Sequence, residues 1–342
     1  MFKRILVPLD GSARAERALP VAARIARASG GSVTLLRVAT TPIEFGPYLG
    51  QSVLLREVVN ADIAHALGYL ANVAQVDDLK GIETRIAVFS GLEVATILET
   101  AKDQHVDLIV MTSHGDTGLK RWALGSVAQK VARSSPVPVL VLREGGTVPS
   151  SPYPDSTRPL HAIASVVALD GSARSEVALG QAANLVAALA APAQGSLHLT
   201  RIVQRSTADD LPNAGMGRDP MQRDQALVEA MTYLDKRAGD LRSELEADLN
   251  LAVTWSVAVD ADVAGALIRV AEQGRVDAGT CMVGGCDLLT MATHGRSGLP
   301  RWMIGSITER ILGATKLPLL IVHPPQGQPT SATSGLMEVK TA

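Results

Sequence analysis

The sequence predicts an α/β protein built from two doubly wound domains, each a parallel sheet flanked by helices. Three observations carry that prediction. Short Val/Ile/Leu runs alternate with longer stretches that are apolar at helical spacing, and the order repeats in each half of the 342 residues. The apolar fraction is 46% with only 3% aromatic, which suits strands covered on both faces. Two segments of the first half also recur in the second, in the same order. VPLDGSARAERAL at 7–19 matches VALDGSARSEVAL at 167–179, and HGDTGLKRWALGS at 114–126 matches HGRSGLPRWMIGS at 294–306. A chain that carries both pairs in one order is two copies of one domain.

In the first half, Ile5–Leu9 is an apolar strand that stops at Asp10. The next segment places Ala18, Val21, Ala22 and Ile25 on one helical face, and Gly30-Gly31 ends it. A second strand covers Ser32–Val38, and a Pro/Gly-containing loop at 40–51 leads to a long helix near 52–79. Ile82–Phe89 is the third strand, 92–104 a helix and Val106–Met111 the fourth strand. A glycine-bearing loop, a helix from about Ser126 and a fifth strand at Pro138–Leu142 complete the unit. The second half repeats the order, with strands near 163–169, 196–203, 251–259, 288–292 and 319–323 and a long helix near 221–249. It differs by ten extra residues, AGTCMVGGCD at 278–287, which hold both cysteines.

These limits divide the chain into a domain at 1–143, a Gly/Pro/Ser-rich linker at 144–160, a domain at 161–323 and a tail at 324–342 expected to be disordered. The net charge of −2 points to neither nucleic acid nor an anionic membrane surface. No apolar run reaches the roughly 18–20 residues that span a bilayer. MFKR passes directly into the first strand without a signal peptide, and two cysteines make no disulfide framework. The expected location is the cytoplasm.

Ligands of open α/β sheets bind at the carboxyl ends of the strands, where strand order reverses. Strand one ends at Asp10 and strand four at the glycine loop, so both border one crevice. Gly115 permits a turn that a side chain blocks, and Gly125 lets an anion approach the main chain. Ser126 stands at a helix start, where unpaired N–H groups and the helix dipole favour negative charge. Asp10 is a short acceptor suited to a ribose hydroxyl, an adenine amine or a metal shared with phosphates. Glycines at strand-to-helix turns and Gly-Ser before a helix also serve structure alone.

His114 and His294 occupy equal positions beside the loop, as phosphate or metal contacts or, on the preferred reading, as braces for it. Arg121 and Arg301 have the reach of a γ-phosphate but are as readily solvated. Trp122 and Trp302 read as hydrophobic anchors. Cys281 and Cys286 form C-x4-C; two ligands alone make no zinc site. The lysine of a Walker A loop is absent, because Gly125 precedes Ser126. There is no assembled catalytic triad or two-metal carboxylate cluster.

With these residues in view, the chain resembles a tandem universal stress protein over 1–142 and 161–323. The signature is VPLDGS at the first strand and THG(R/D)(S/T)GL-x-RW-x-x-GS at the loop. The resemblance implies two five-stranded parallel sheets of order 3-2-1-4-5 and a site for ATP, ADP or AMP, with Mg2+ as an accompanying ion. It places Pro8, Leu9, Asp10 and Val38 at the adenosine of the first half, and Thr112, His114, Gly115, Gly125, Ser126 and Val127 at the phosphates. The second half contributes Leu169, Asp170, Ile202, Ala292, His294, Gly295, Gly305, Ser306 and Ile307. Thr112 and Ala292 replace the family's first loop glycine, and a Cβ there is expected to narrow the phosphate path. Pro8 becomes Ala168, so the first half is expected to be the better occupied.

The implied function is adenine-nucleotide binding in stress signalling, without catalysis or with weak ATPase activity. A slow hydrolase using Asp10, His114 and Arg121, and a nucleotide-free interaction module, are the alternatives. The fifth strands, PVPVLVLR and LPLLIVH, are apolar edges expected to meet within the chain as a pseudo-twofold dimer, with pairing between chains also open.

Overall fold

The computed structural model describes residues 1–39, 53–113, 125–143, 163–205, 220–245, 249–274, 278–279, 285–293 and 305–324. In the first half the order is β1 Arg4–Pro8, α1 Ala13–Glu16, α2 Ala18–Ser29, β2 Ser32–Ala39, α3 Val53–Val73, β3 Glu83–Ser90, α4 Glu93–Asp103, β4 Leu108–Thr112, α5 Ser126–Ser134 and β5 Val139–Leu142. The second half runs β6 Ala164–Ala168, α6 Ala173–Ala190, β7 Gly195–Gln204, α7 Pro220–Leu245, β8 Leu251–Asp260, α8 Val263–Gln273, β9 Ala278–Gly279, β10 Leu288–Ala292, α9 Ser306–Ala314 and β11 Leu319–Val322.

Buried Val, Leu and Ile runs make the central strands, which pair in parallel because each is followed by a helix that must return over the sheet. All the strands form one sheet of order β3-β2-β1-β4-β5-β11-β10-β6-β7-β8-β9. The first half thus shows the 3-2-1-4-5 order, and β6, β7, β8, β10 and β11 repeat it in mirror sequence across the sheet. The halves join where β5 and β11 pair antiparallel, with Leu140 opposite Leu320. This is the edge-to-edge contact expected from the apolar fifth strands. Each half also reaches across the junction. The Arg143 guanidinium donates to the Leu312 carbonyl in the last turn of α9, and His323 Nε2 lies 3.3 Å from the Arg133 carbonyl in the last turn of α5. A cation at a helix carboxyl terminus opposes the helix dipole.

The sheet separates two apolar layers. One packs β-strand residues such as Ile5, Val7 and Val110 against α2, α3, α6 and α7. The other packs Leu6, Ile109 and Met111 against α4, α5, α8 and α9.

Three expectations change. The long helix near 52–79 stops at Val73; Val76 is extended, and a 3-10 turn at Asp77–Leu79 buries Leu79. The first helix divides at Arg17 into α1 and α2, whereas α6 runs through the matching position. The ten-residue insert supplies a strand, β9, that adds antiparallel to β8 at Ser256 and Val257. The linker, the tail beyond Pro324 and Cys281 lie outside the described residues. No described helix is long and apolar enough to cross a membrane.

Candidate functional site

The turn after β1 is built from its own side chains. Asp10 Oδ1 accepts from the Ser12 amide at 3.0 Å and from the Ser12 hydroxyl at 2.7 Å. Ser12 Oγ in turn accepts from the Ala15 amide at 3.2 Å and caps α1. The second half repeats the arrangement. Asp170 Oδ1 takes the Ser172 amide at 2.9 Å and hydroxyl at 2.6 Å, and Ser172 caps α6. Each aspartate therefore fixes a turn at the carboxyl end of the first strand of its half.

Opposite this turn, α5 and α9 begin without a side-chain cap. Their first helical bonds run from Gln129 to Gly125 at 2.9 Å and from Glu309 to Gly305 at 2.9 Å. The amides of 126–128 and 306–308 thus precede the helical ladder and carry the positive end of the dipole. The Gly125 amide donates to the Ser113 carbonyl at 2.8 Å, and Gly305 to Thr293 at 3.0 Å. Both glycine loops are therefore closed at their base. At Gly305 a Cβ would stand 3.2 Å from the Thr293 carbonyl oxygen.

Strand alternation decides which predicted residues share the crevice. Pro8 pairs with Leu36, whose side chain belongs to the layer under α4 and α5. Val38 and Val127 pack against that same layer, as do Ala168 and Ile202 in the second half. Ile307 is exposed beside Ser306 at the start of α9. Leu9 and Leu169 turn the other way and are buried in the layer under α2 and α6, each 4% exposed. Their side chains therefore face away from Val38 and Ile202. Thr112 pairs with Leu142 and Ala292 with Val322, both in that opposite layer. Their Cβ atoms therefore point away from the α5 and α9 side, which alters the expectation that they narrow the phosphate path. His114, Gly115, Arg121, Trp122, His294, Gly295, Arg301 and Trp302 lie outside the described residues.

A doubled polar bracket beneath the turn escaped the sequence reading. Arg37 of β2 lies over the Tyr69 ring, 5.0 Å from its centre, and Tyr69 donates to Glu16 Oε1 at 2.8 Å. In the second half Arg201 lies 5.6 Å from the Tyr233 ring centre, and Tyr233 donates to Glu176 Oε1 at 2.7 Å. Burial first, and then the glutamate bond, push both phenols well above the ordinary tyrosine range. The signal was present: Arg37 and Arg201 immediately precede Val38 and Ile202, and the two glutamates sit at equal places in the duplicated segments.

Cys286 is buried against α8, where its amide donates to the Ala271 carbonyl at 2.6 Å. Burial, followed by the Asp287 charge, pushes its thiol up to about 12, which keeps it protonated and unreactive. Among the described residues no group of three or more His, Cys, Asp or Glu side chains is placed to hold a metal.

The universal stress protein family model matches residues 1–143 and 165–323. A universal stress protein of Bacillus subtilis is 32% identical over 148 residues, 42% of this chain and 100% of that protein. One from Mycolicibacterium smegmatis is 22% identical over 327 residues, 94% of this chain and 97% of that protein. The crystal structure of a universal stress protein from Archaeoglobus fulgidus has a TM-score of 0.61 at 17% identity, covering 94% of this chain and 98% of that one. The doubled turn, the doubled helix start and the shared strand order agree with these matches. The chain belongs to the universal stress protein family and carries two of its domains in tandem.

Proposed function

We propose that this chain is an adenine-nucleotide-binding signalling protein, with ATP, ADP or AMP seated between the Asp10 turn and the start of α5, and Mg2+ entering with the phosphates. The observation that carries the reading is the pairing, in both halves, of an aspartate-braced turn with an uncapped helix start across a single crevice. The amides after Gly125 and Gly305 supply donors for phosphate oxygens, and the dipole supplies the sign. Pro8 and Val38 line the apolar side where an adenosine sits, and Val127 stands by the phosphates. Asp10 Oδ1 is already committed to Ser12, which favours a holding role over that of a general base. The same proposal includes a cytoplasmic location and a protein partner that reads the nucleotide state.

The test is equilibrium dialysis of purified full-length protein with radiolabelled ATP, alongside mass spectrometry of any co-purifying small molecule. Saturable binding that is lost in a Gly125→Val, Gly305→Val double variant is expected. A folded protein with no saturable binding would overturn the proposal and leave a nucleotide-free interaction module.

A further inference from the structure

We infer that the two crevices are chemically unequal, and that Phe89 is the base-stacking residue that makes the first half the adenine site; this rests on the nucleotide-binding reading above. Val38 and Phe89 are register partners on parallel strands, so their side chains share one face of the sheet. That face is the one where Val38 packs toward α4 and α5. Phe89 is the penultimate residue of β3, at the carboxyl edge of the sheet, and is 46% exposed. Leu92, the residue before α4, is 72% exposed. The first crevice therefore has an outer lip of Val38, Phe89 and Leu92.

The second half builds the same lip from different chemistry. The register partner of Ile202 is Ala258, which is 6% exposed and offers no ring. The residue before α8 is Asp262, which accepts from the Gly265 amide at 3.1 Å and is gripped by Arg310 of α9 through bonds of 2.8 and 2.9 Å. Arg310, and then the Gly265 amide, hold the Asp262 carboxyl below its usual range. Asp260 is paired with Arg269. Glu309 also stands in the first turn of α9, where α5 has Gln129, and it is ion-paired with Arg133 of α5 at 3.1 Å.

A single exposed aromatic is ordinary on a protein surface. Phe89 differs in its place: it shares a sheet face with Val38 at the carboxyl ends of the strands, three residues before the exposed Leu92. Stacking of a base on an aromatic ring changes affinity by about fivefold to 150-fold, and it needs an accessible ring face beside the sugar site. The second lip meets a base with an ion-paired carboxylate instead.

The full-length chain is titrated calorimetrically with ATP and, separately, with inorganic triphosphate. One tight ATP site per chain is expected, abolished by Gly125→Val and retained in Gly305→Val. Phe89→Ala is expected to weaken ATP about tenfold while leaving triphosphate affinity unchanged, and Phe89→Tyr to restore ATP binding. Phe89 is exposed, so circular dichroism of the alanine variant should match that of the parent. Two equal ATP sites, or a Phe89→Ala variant that binds ATP like the parent, would overturn this inference and leave the nucleotide reading standing. Absence of saturable ATP binding in the parent chain would overturn both.

Discussion

His198 offers a pH-dependent test of the buried interior. It lies in β7 with no exposed surface, its ring between Thr254 Oγ1 at 2.8 Å and Ser256 Oγ at 2.7 Å, while Thr200 and Ser256 hydroxyls lie 3.0 Å apart. The neutral imidazole donates from one nitrogen and accepts at the other, and charging a ring shut off from water is costly. Burial accordingly lowers the pKa from 6.5 to about 4. Above pH 6.5 the ring is neutral in both folded and unfolded chains, and its full contribution is present. As the pH falls, the unfolded chain takes up the proton first. Stability is lost from pH 6.5 downward by about 2 kcal/mol at pH 5 and about 3 kcal/mol near pH 4, levelling off once the folded ring is also protonated. The perturbation is His198→Thr, because Thr34 occupies the matching position of β2, where its hydroxyl donates to Gln104 Oε1 at 3.2 Å. Urea unfolding of both proteins at intervals from pH 7.5 to 5 separates the terms. A cavity left by the smaller side chain costs the variant the same amount at every pH. The titration cost belongs to the parent alone, so the stability gap between the proteins should shrink by about 2 kcal/mol from pH 7.5 to pH 5. A gap that stays constant across that range would refute the reasoning, whatever the absolute stabilities.

Two further perturbations probe the turn and the junction. Gly11 has a φ of +92°, and a Cβ there would collide with the Arg37 guanidinium. Gly11→Ala should therefore cost about 2–3 kcal/mol in thermal unfolding, combining backbone strain with displacement of Arg37 from the Tyr69 ring. Gly30→Ala, at a φ of +60° with only Lys3 Nζ at 3.8 Å, is the control and should cost about 1 kcal/mol. Leu140 is fully buried opposite Leu320 where the halves meet, so Leu140→Ala should lower stability by about 2–5 kcal/mol, read from chemical denaturation.

The architecture was legible because its signals are local and doubled. Each strand is a short apolar run, each helix has its own spacing, and duplication supplies every reading twice. The strand period was equally legible and decides which of the expected site residues share a layer. Ile5, Val7 and Leu9 stand two residues apart and share one layer, so alternation alone placed Leu9 away from Val38. The same rule sends Thr112 with Leu108 and Val110 toward the other face. What the sequence did not expose are contacts whose partners are far apart and whose residue types are unremarkable. Asp262 and Arg310 are 48 positions apart, and nothing in either local segment marks them as partners. The two-residue strand β9 has no periodicity to read and exists only because the edge of β8 offers it amides and carbonyls.

Duplication has a further consequence that comparison of whole motifs hides. It repeats the turn, the helix start and the bracket of Glu16, Tyr69 and Arg37, although only Glu16 of that bracket lies in a repeated segment. It does not repeat the lip, where the second half has Ala258 and Asp262 in place of Phe89 and Leu92. Residues that hold the fold's own turns are constrained in both halves, because losing a turn costs stability in either one. Phe89 and Leu92 are exposed, so the first half is free to change there. Asymmetry at the rim of two crevices that share their turns is the pattern expected when one scaffold keeps its frame and specialises its contacts.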